Sequence, residues 1–149
     1  MNKEIISNII KLDKPGRDKT MKLCNDYGWK FEEPIRNDLA YDCIIRFSSD
    51  LFAVVEIKNR DIKYDKYDTL FLQEDKYNNL LKWKERLGAD QALYINWIGD
   101  KCYIFDVDKV DKNSLIEKWM NKITADKSSG KTLKKVYELN KENAIKLTI

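Results

Sequence analysis

The sequence contains no histidine. Ser-His-Asp and Cys-His nucleophile systems are therefore excluded. Its three cysteines, Cys24, Cys43 and Cys102, are odd in number, widely spaced and without a CxxC pair. Zinc favours thiolate and imidazole, so a structural zinc site has no ligands to use, and the thiols read as isolated, reduced core residues. No run of about eighteen apolar residues occurs, so no segment is expected to span a bilayer. The opening stretch, MNKEIISNIIKLDK, lacks the apolar run and small-residue cleavage site of a signal peptide. A cytoplasmic protein with no membrane partner is expected. No internal repeat or low-complexity segment is visible. Hydrolytic chemistry, if present, must rest on carboxylates and lysine, with or without a hard metal.

What is present is a chain of 149 residues, 43% apolar and 36% charged, with a net charge of +3. That length suits one domain with a real core, and the apolar share argues against disorder. Residues 112–149 hold nine lysines against four acids, so this third can meet a phosphate backbone or form a solvated helical face. Abundant lysine, asparagine and isoleucine point to an AT-rich genome, bacterial or phage.

Ile5, Ile6, Ile9, Ile10 and Leu12 have helical spacing, interrupted by Pro15-Gly16. A second helix is predicted from near Asp18 to Gly28, then a short strand at residues 29–33. Residues 43–47 and 51–58 read as strands around a Ser48-Ser49-Asp50 turn. The second is apolar on both faces until Glu56, the mark of a central, covered strand. Residues 69–87 read as one helix closed by Gly88, with Leu70, Gln73, Tyr77, Leu80 and Leu81 on one side. Two strands are expected around Gly99-Asp100 and a helix at residues 111–123. The pattern predicts an α/β fold, a mixed central sheet flanked by helices. It is read as one domain over residues 1–149, with a core at about 16–107 and a basic helical extension over 111–149.

The hairpin carries the chemistry. If the turn is Ser48-Ser49-Asp50, Phe47 faces Leu51, and Asp42 then falls opposite Glu56. Two facing carboxylates need compensation, and a divalent cation such as magnesium provides it through carboxylate oxygens. Lys58, two residues past Glu56, shares its face. Acid-x-Lys matches arise by chance in so charged a chain, as at Asp61-Ile62-Lys63 and Glu74-Asp75-Lys76. Only Glu56-Ile57-Lys58 ends an apolar strand with an acid mirrored across the hairpin.

The segment from Asp42 to Lys58, followed by a helix and a strand, resembles the PD-(D/E)xK nuclease superfamily, which includes restriction enzymes and archaeal Holliday-junction resolvases. The resemblance covers residues 16–97. It implies a restriction-endonuclease-like fold and a Mg2+ or Mn2+ site held by Asp42, Glu56 and the Ile57 carbonyl, with Lys58 as the catalytic lysine. It places Asp18 where members carry an acid on the first core helix, a helix N-cap being the alternative. It places Gln73 and Tyr77 where members carry a glutamine and, one turn later, a tyrosine. Gln73 then holds the attacking water or a phosphate; the plain alternative is a surface amide beside a core tyrosine. Tyr41 replaces the usual proline, which supplies no ligand.

Arg17, Arg60, Lys63 and Lys66 flank the expected pocket and, with Tyr77, are the candidate nucleic-acid contacts. Tyr64 and Tyr67 interleave with the lysines and can stack on unpaired bases. Trp83, Trp97 and Trp119 read as core or interface anchors instead. The first functional reading is a metal-dependent endo- or exonuclease acting on DNA, as a homodimer if it resolves junctions. The second is a nuclease-like, catalytically silent binding subunit of a larger complex. The third is an interaction protein with no nucleic-acid role.

Overall fold

The computed structural model describes residues 3–34, 41–60, 67–123 and 126–149, with the side chains of 3–13, 123, 126 and 127 left outside the description. Lys63, Tyr64 and Lys66 therefore lie outside the described residues. Helix α1 runs Lys3–Tyr27, followed by β1 (Lys30–Glu32), β2 (Cys43–Arg46) and β3 (Phe52–Asn59). Strand β4 (Thr69–Gln73) leads directly into α2 (Glu74–Leu87). The chain then forms β5 (Gln91–Ile98), β6 (Lys101–Asp106), two 3-10 turns, β7 (Leu115–Ile123), β8 (Asp126–Asn140) and β9 (Ile145–Thr148). The central sheet has the order β1-β2-β3-β5-β6-β9, and a smaller one the order β4-β8-β7. Strand β3 is central, antiparallel to β2 and parallel to β5, as its apolar run predicts. No helix among the described residues is long and apolar enough to cross a membrane.

Two apolar layers sandwich the central sheet. Val54, Ala92 and Tyr94 pack with Tyr77 and Leu80 of α2 and with Leu70, Leu72, Tyr137 and Leu139 of the small sheet. On the other face, Ala53, Val55, Leu93, Ile95 and Trp97 pack with Leu23 and Cys24 of α1. The three cysteines are free and buried, as expected.

Three expectations are corrected. Pro15-Gly16 does not divide the first helix, because Pro15 lies inside a continuous α1. Gly16 is where α1 crosses β3. A Cβ there would sit 3.0 Å from Ile57 Cγ2 and 3.3 Å from the Asn59 Cβ. Thr20, which bonds the Gly16 carbonyl, also accepts the Trp97 indole N–H at 2.9 Å and ties α1 to β5. Gly16→Val is expected to lower the melting temperature by roughly 5 °C or more through overpacking; an unchanged melt would show that the crossing is not tight.

The predicted helix over 69–87 starts at Glu74 instead. Residues 69–73 pair with residues 136–140 of β8, burying Leu70 and Leu72 at a period of two. The predicted helix over 111–123 is a 3-10 turn and β7, and most of the supposed helical extension is β7, β8 and β9. Pairing with β8 overrides local periodicity in both places, at long range for residues 69–73 and across a hairpin for β7.

Candidate active site

The β2–β3 register is the expected one. Cys43 pairs with Val55 and Arg46 with Phe52, and the Phe47 amide bonds the Leu51 carbonyl at 2.9 Å across the turn. Asp42 sits one residue before β2. Its amide donates to the Val55 carbonyl at 2.8 Å, and its carboxylate accepts the Ile57 amide at 2.6 Å. The side chain thus takes the ladder position that a backbone carbonyl would fill if β2 continued. Arg17 of α1 donates to the Asp42 carbonyl at 3.1 Å and forms an ion pair with Glu33. Asp42 is therefore fixed from β3 and from α1.

Alternation along β3 turns Val54, Glu56 and Lys58 toward α2, and Val55 and Ile57 toward α1. The Glu56 side chain is 13% exposed, and Lys76 Nζ from the first turn of α2 stands 3.5 Å from its Oε1. Asp42 stands next to Glu56 across the hairpin, and its charge bears on the Glu56 carboxyl. Burial, then the Asp42 charge, pushes Glu56 up to about 8, with Lys76 pulling the other way. Lys76 is raised in turn, chiefly by the Glu56 charge. Near neutral pH burial and the neighbouring charge thus favour the protonated form of Glu56.

The donor set fits a hard divalent cation. It consists of two carboxylates and the Ile57 carbonyl, which leaves β3 on the Asp42 side because the N–H and C=O of one strand residue point to the same neighbour. Oxygen donors of this number suit magnesium or manganese, which keep part of their water. Among the described residues no group of three His, Cys, Asp or Glu gathers, so water or substrate oxygen would complete the shell.

The other expected site residues are dispersed. Asp18 lies within α1, not at its N-cap, and its exposed carboxylate pairs with Lys14 at 2.6 Å rather than joining Asp42 and Glu56. Gln73 ends β4 and caps α2 with extended backbone and no side-chain capping bond. It is therefore not one helical turn from Tyr77. Tyr77 is buried with its ring 4.4 Å from that of Tyr137, a core residue and not a surface contact. Arg60 turns inward: its guanidinium donates to Asn96 Oδ1, to the Phe71 carbonyl at 3.0 Å and to the Tyr94 hydroxyl at 2.8 Å. Arg17 is occupied by Asp42 and Glu33 as described. Of the tryptophans, Trp97 is buried and Trp83 packs at the core margin, but Trp119 is 67% exposed.

Lys76 is the contact that the sequence reading passed over. It belongs to Glu74-Asp75-Lys76, one of the chance acid-x-Lys matches. Its signal was available only with α2 correctly begun at Glu74, which puts Lys76 in the first turn.

No known family model matches the sequence, and no characterised protein matches it in sequence. The structure is similar to that of Hjc, a Holliday junction resolvase from the archaeal hyperthermophile Archaeoglobus fulgidus. The TM-score is 0.55 at 15% identity, over 87% of this chain and 93% of that one. The chain thus has a restriction-endonuclease-like fold, like that of Hjc: a central mixed sheet with a helix on each face.

Proposed function

We propose that this chain is a metal-dependent nuclease that hydrolyses DNA phosphodiester bonds through Asp42, Glu56 and Lys58, with Mg2+ or Mn2+ as cofactor. The observation that carries the reading is the placing of Asp42 opposite Glu56 at the end of the β2–β3 hairpin, with the Asp42 carboxylate held on the Ile57 amide. The shared fold with a junction resolvase agrees with it. The cation, when bound, would stabilise charge on the phosphate oxygens and acidify a water. Asp42, Glu56 and the Ile57 carbonyl would hold it. Lys58, on the Glu56 face, positions the attacking water or stabilises transition-state charge. Gln73, three residues before Lys76, holds water or phosphate at the edge of the site. Symmetric cutting of a four-way junction would require two copies, hence a homodimer.

Incubation of plasmid or labelled oligonucleotides with Mg2+ or Mn2+ tests this. Cleavage is expected with either metal, none in EDTA, and none from a folded Lys58→Ala protein. A Lys58→Ala protein that cuts like wild type removes the assignment. One contact favours a second reading, a silent binding subunit: Lys76 already balances Glu56. That subunit would shift DNA in EDTA and would leave it uncut whichever metal is added.

A further inference from the structure

Beyond the Gln73–Val136 pair, β8 loses β4 as a neighbour, and β7 and β8 continue as a two-stranded ribbon. Such ribbons are marginal in water unless something covers them. Trp119 faces Leu133 across the ribbon, and they are 67% and 46% exposed. On the same face Lys135 and Lys131 flank them, opposite Glu117 and Asn121, while Lys118 and Lys134 pair on the other face. Neither Lys122 nor Lys135 has an ion-pair partner among the described residues. Between the ribbon and the start of α2 lies a groove of about 430 Å3, lined by Gln73, Glu74 and Asp75 on one wall and Lys122, Lys134 and Lys135 on the other. The α2 wall is the turn whose next residue, Lys76, touches Glu56.

The geometry points to the β7–β8 ribbon as a second nucleic-acid contact, which grips an unpaired strand running past the Asp42–Glu56 site. This rests on the nuclease reading for the strand's destination but not for its binding. Phosphates lie against Lys135, which stands on the Trp119 face and also lines the groove, and along the lysine wall beyond it. Trp119 offers an apolar ring on which a base stacks, which a base enclosed in a duplex does not accept. An apolar surface edged by lysines matches bases edged by phosphates.

Fluorescence anisotropy of a fluorescein-labelled single-stranded oligonucleotide, in EDTA and low salt, tests the ribbon apart from cleavage. Trp119→Ala is expected to weaken binding about tenfold, and Trp119→Phe to restore most of it. The same variants should change affinity for the matching duplex much less. Joint replacement of Lys122, Lys134 and Lys135 by alanine should reduce the slope of log affinity against log salt by about 2. Since Trp119 is exposed, its variants should melt as wild type does. The inference is overturned if wild type does not bind, if Trp119→Ala binds single strands unchanged, or if both nucleic-acid forms are lost equally. It is also overturned if sedimentation shows that Trp119→Ala merely splits a dimer, which would make a second copy the occupant. Normal cleavage with unchanged Trp119→Ala binding sinks the ribbon alone. Binding as expected, with no cleavage in Mg2+ or Mn2+, sinks the nuclease reading alone.

Discussion

Glu56→Gln is expected to leave a folded protein whose cleavage has fallen on the order of a thousandfold or more. The amide keeps the shape of the side chain but cannot supply an anionic oxygen to a cation. The same variant should be more heat-stable than wild type at high pH without metal. The folded-state value of Glu56 is about 8, against an ordinary 4.5. A carboxyl held above its unfolded value binds its proton more tightly when folded. Wild-type stability from this group is therefore present near pH 4.5 and is lost as pH rises toward 8 and beyond. In EDTA, melting of wild type and Glu56→Gln should converge near pH 5 and separate at pH 9, with the variant higher by roughly 5 °C. Mg2+ at pH 9 should raise wild-type melting and leave the variant unmoved, because only an ionised Glu56 welcomes the cation. A variant that cuts normally, or wild-type melting that climbs from pH 5 to 9 in EDTA, would refute this account of Glu56.

Arg60→Ala carries the second large effect, and it falls on stability. The guanidinium joins Phe71 of the small sheet to Tyr94 and Asn96 of the central one, and the Arg60 amide bonds the Trp97 carbonyl at 2.8 Å. Tyr94 also donates to the Phe71 carbonyl at 2.8 Å. Asn96 is fully buried with its Nδ2 already unpartnered among the described residues, so losing Arg60 would strip its Oδ1 as well. A loss of about 2–4 kcal/mol follows, seen as a fall of roughly 8–15 °C in melting temperature. Arg60→Lys should recover only part of this, since one ammonium lacks the planar fork that reaches several acceptors. If Arg60→Ala melts normally but binds nucleic acid weakly, Arg60 returns to the contact role that its loop position suggested.

These two residues show what was legible in the chain and what was not. The Asp42–Glu56 opposition depends on one short turn, and local pairing through Ser48-Ser49-Asp50 fixed every partner from Phe47 back to Cys43. Arg60 follows β3 immediately, and its acceptors come from β4 and β5, so nothing local marks it as internal. Thr69–Gln73 looked helical because its partner strand begins more than fifty residues later. Starting α2 too early put Gln73 and Tyr77 on one face and hid Lys76 from Glu56. Trp119 looked like an anchor because exposed tryptophan is rare, and only the run of β7 and β8 beyond β4 leaves it in solvent. The gaps at Arg60 and at residues 69–73 are thus long-range ones, while the pair of acids rests on contacts within a single hairpin.

Diffraction from crystals soaked in Mn2+, measured for anomalous signal, tests the central claim most directly. A peak about 2.0–2.3 Å from carboxylate oxygens of both Asp42 and Glu56 is predicted, with Lys76 drawn back from Glu56. Protein that cuts DNA in the same Mn2+ solution yet shows no manganese between those two side chains would contradict it.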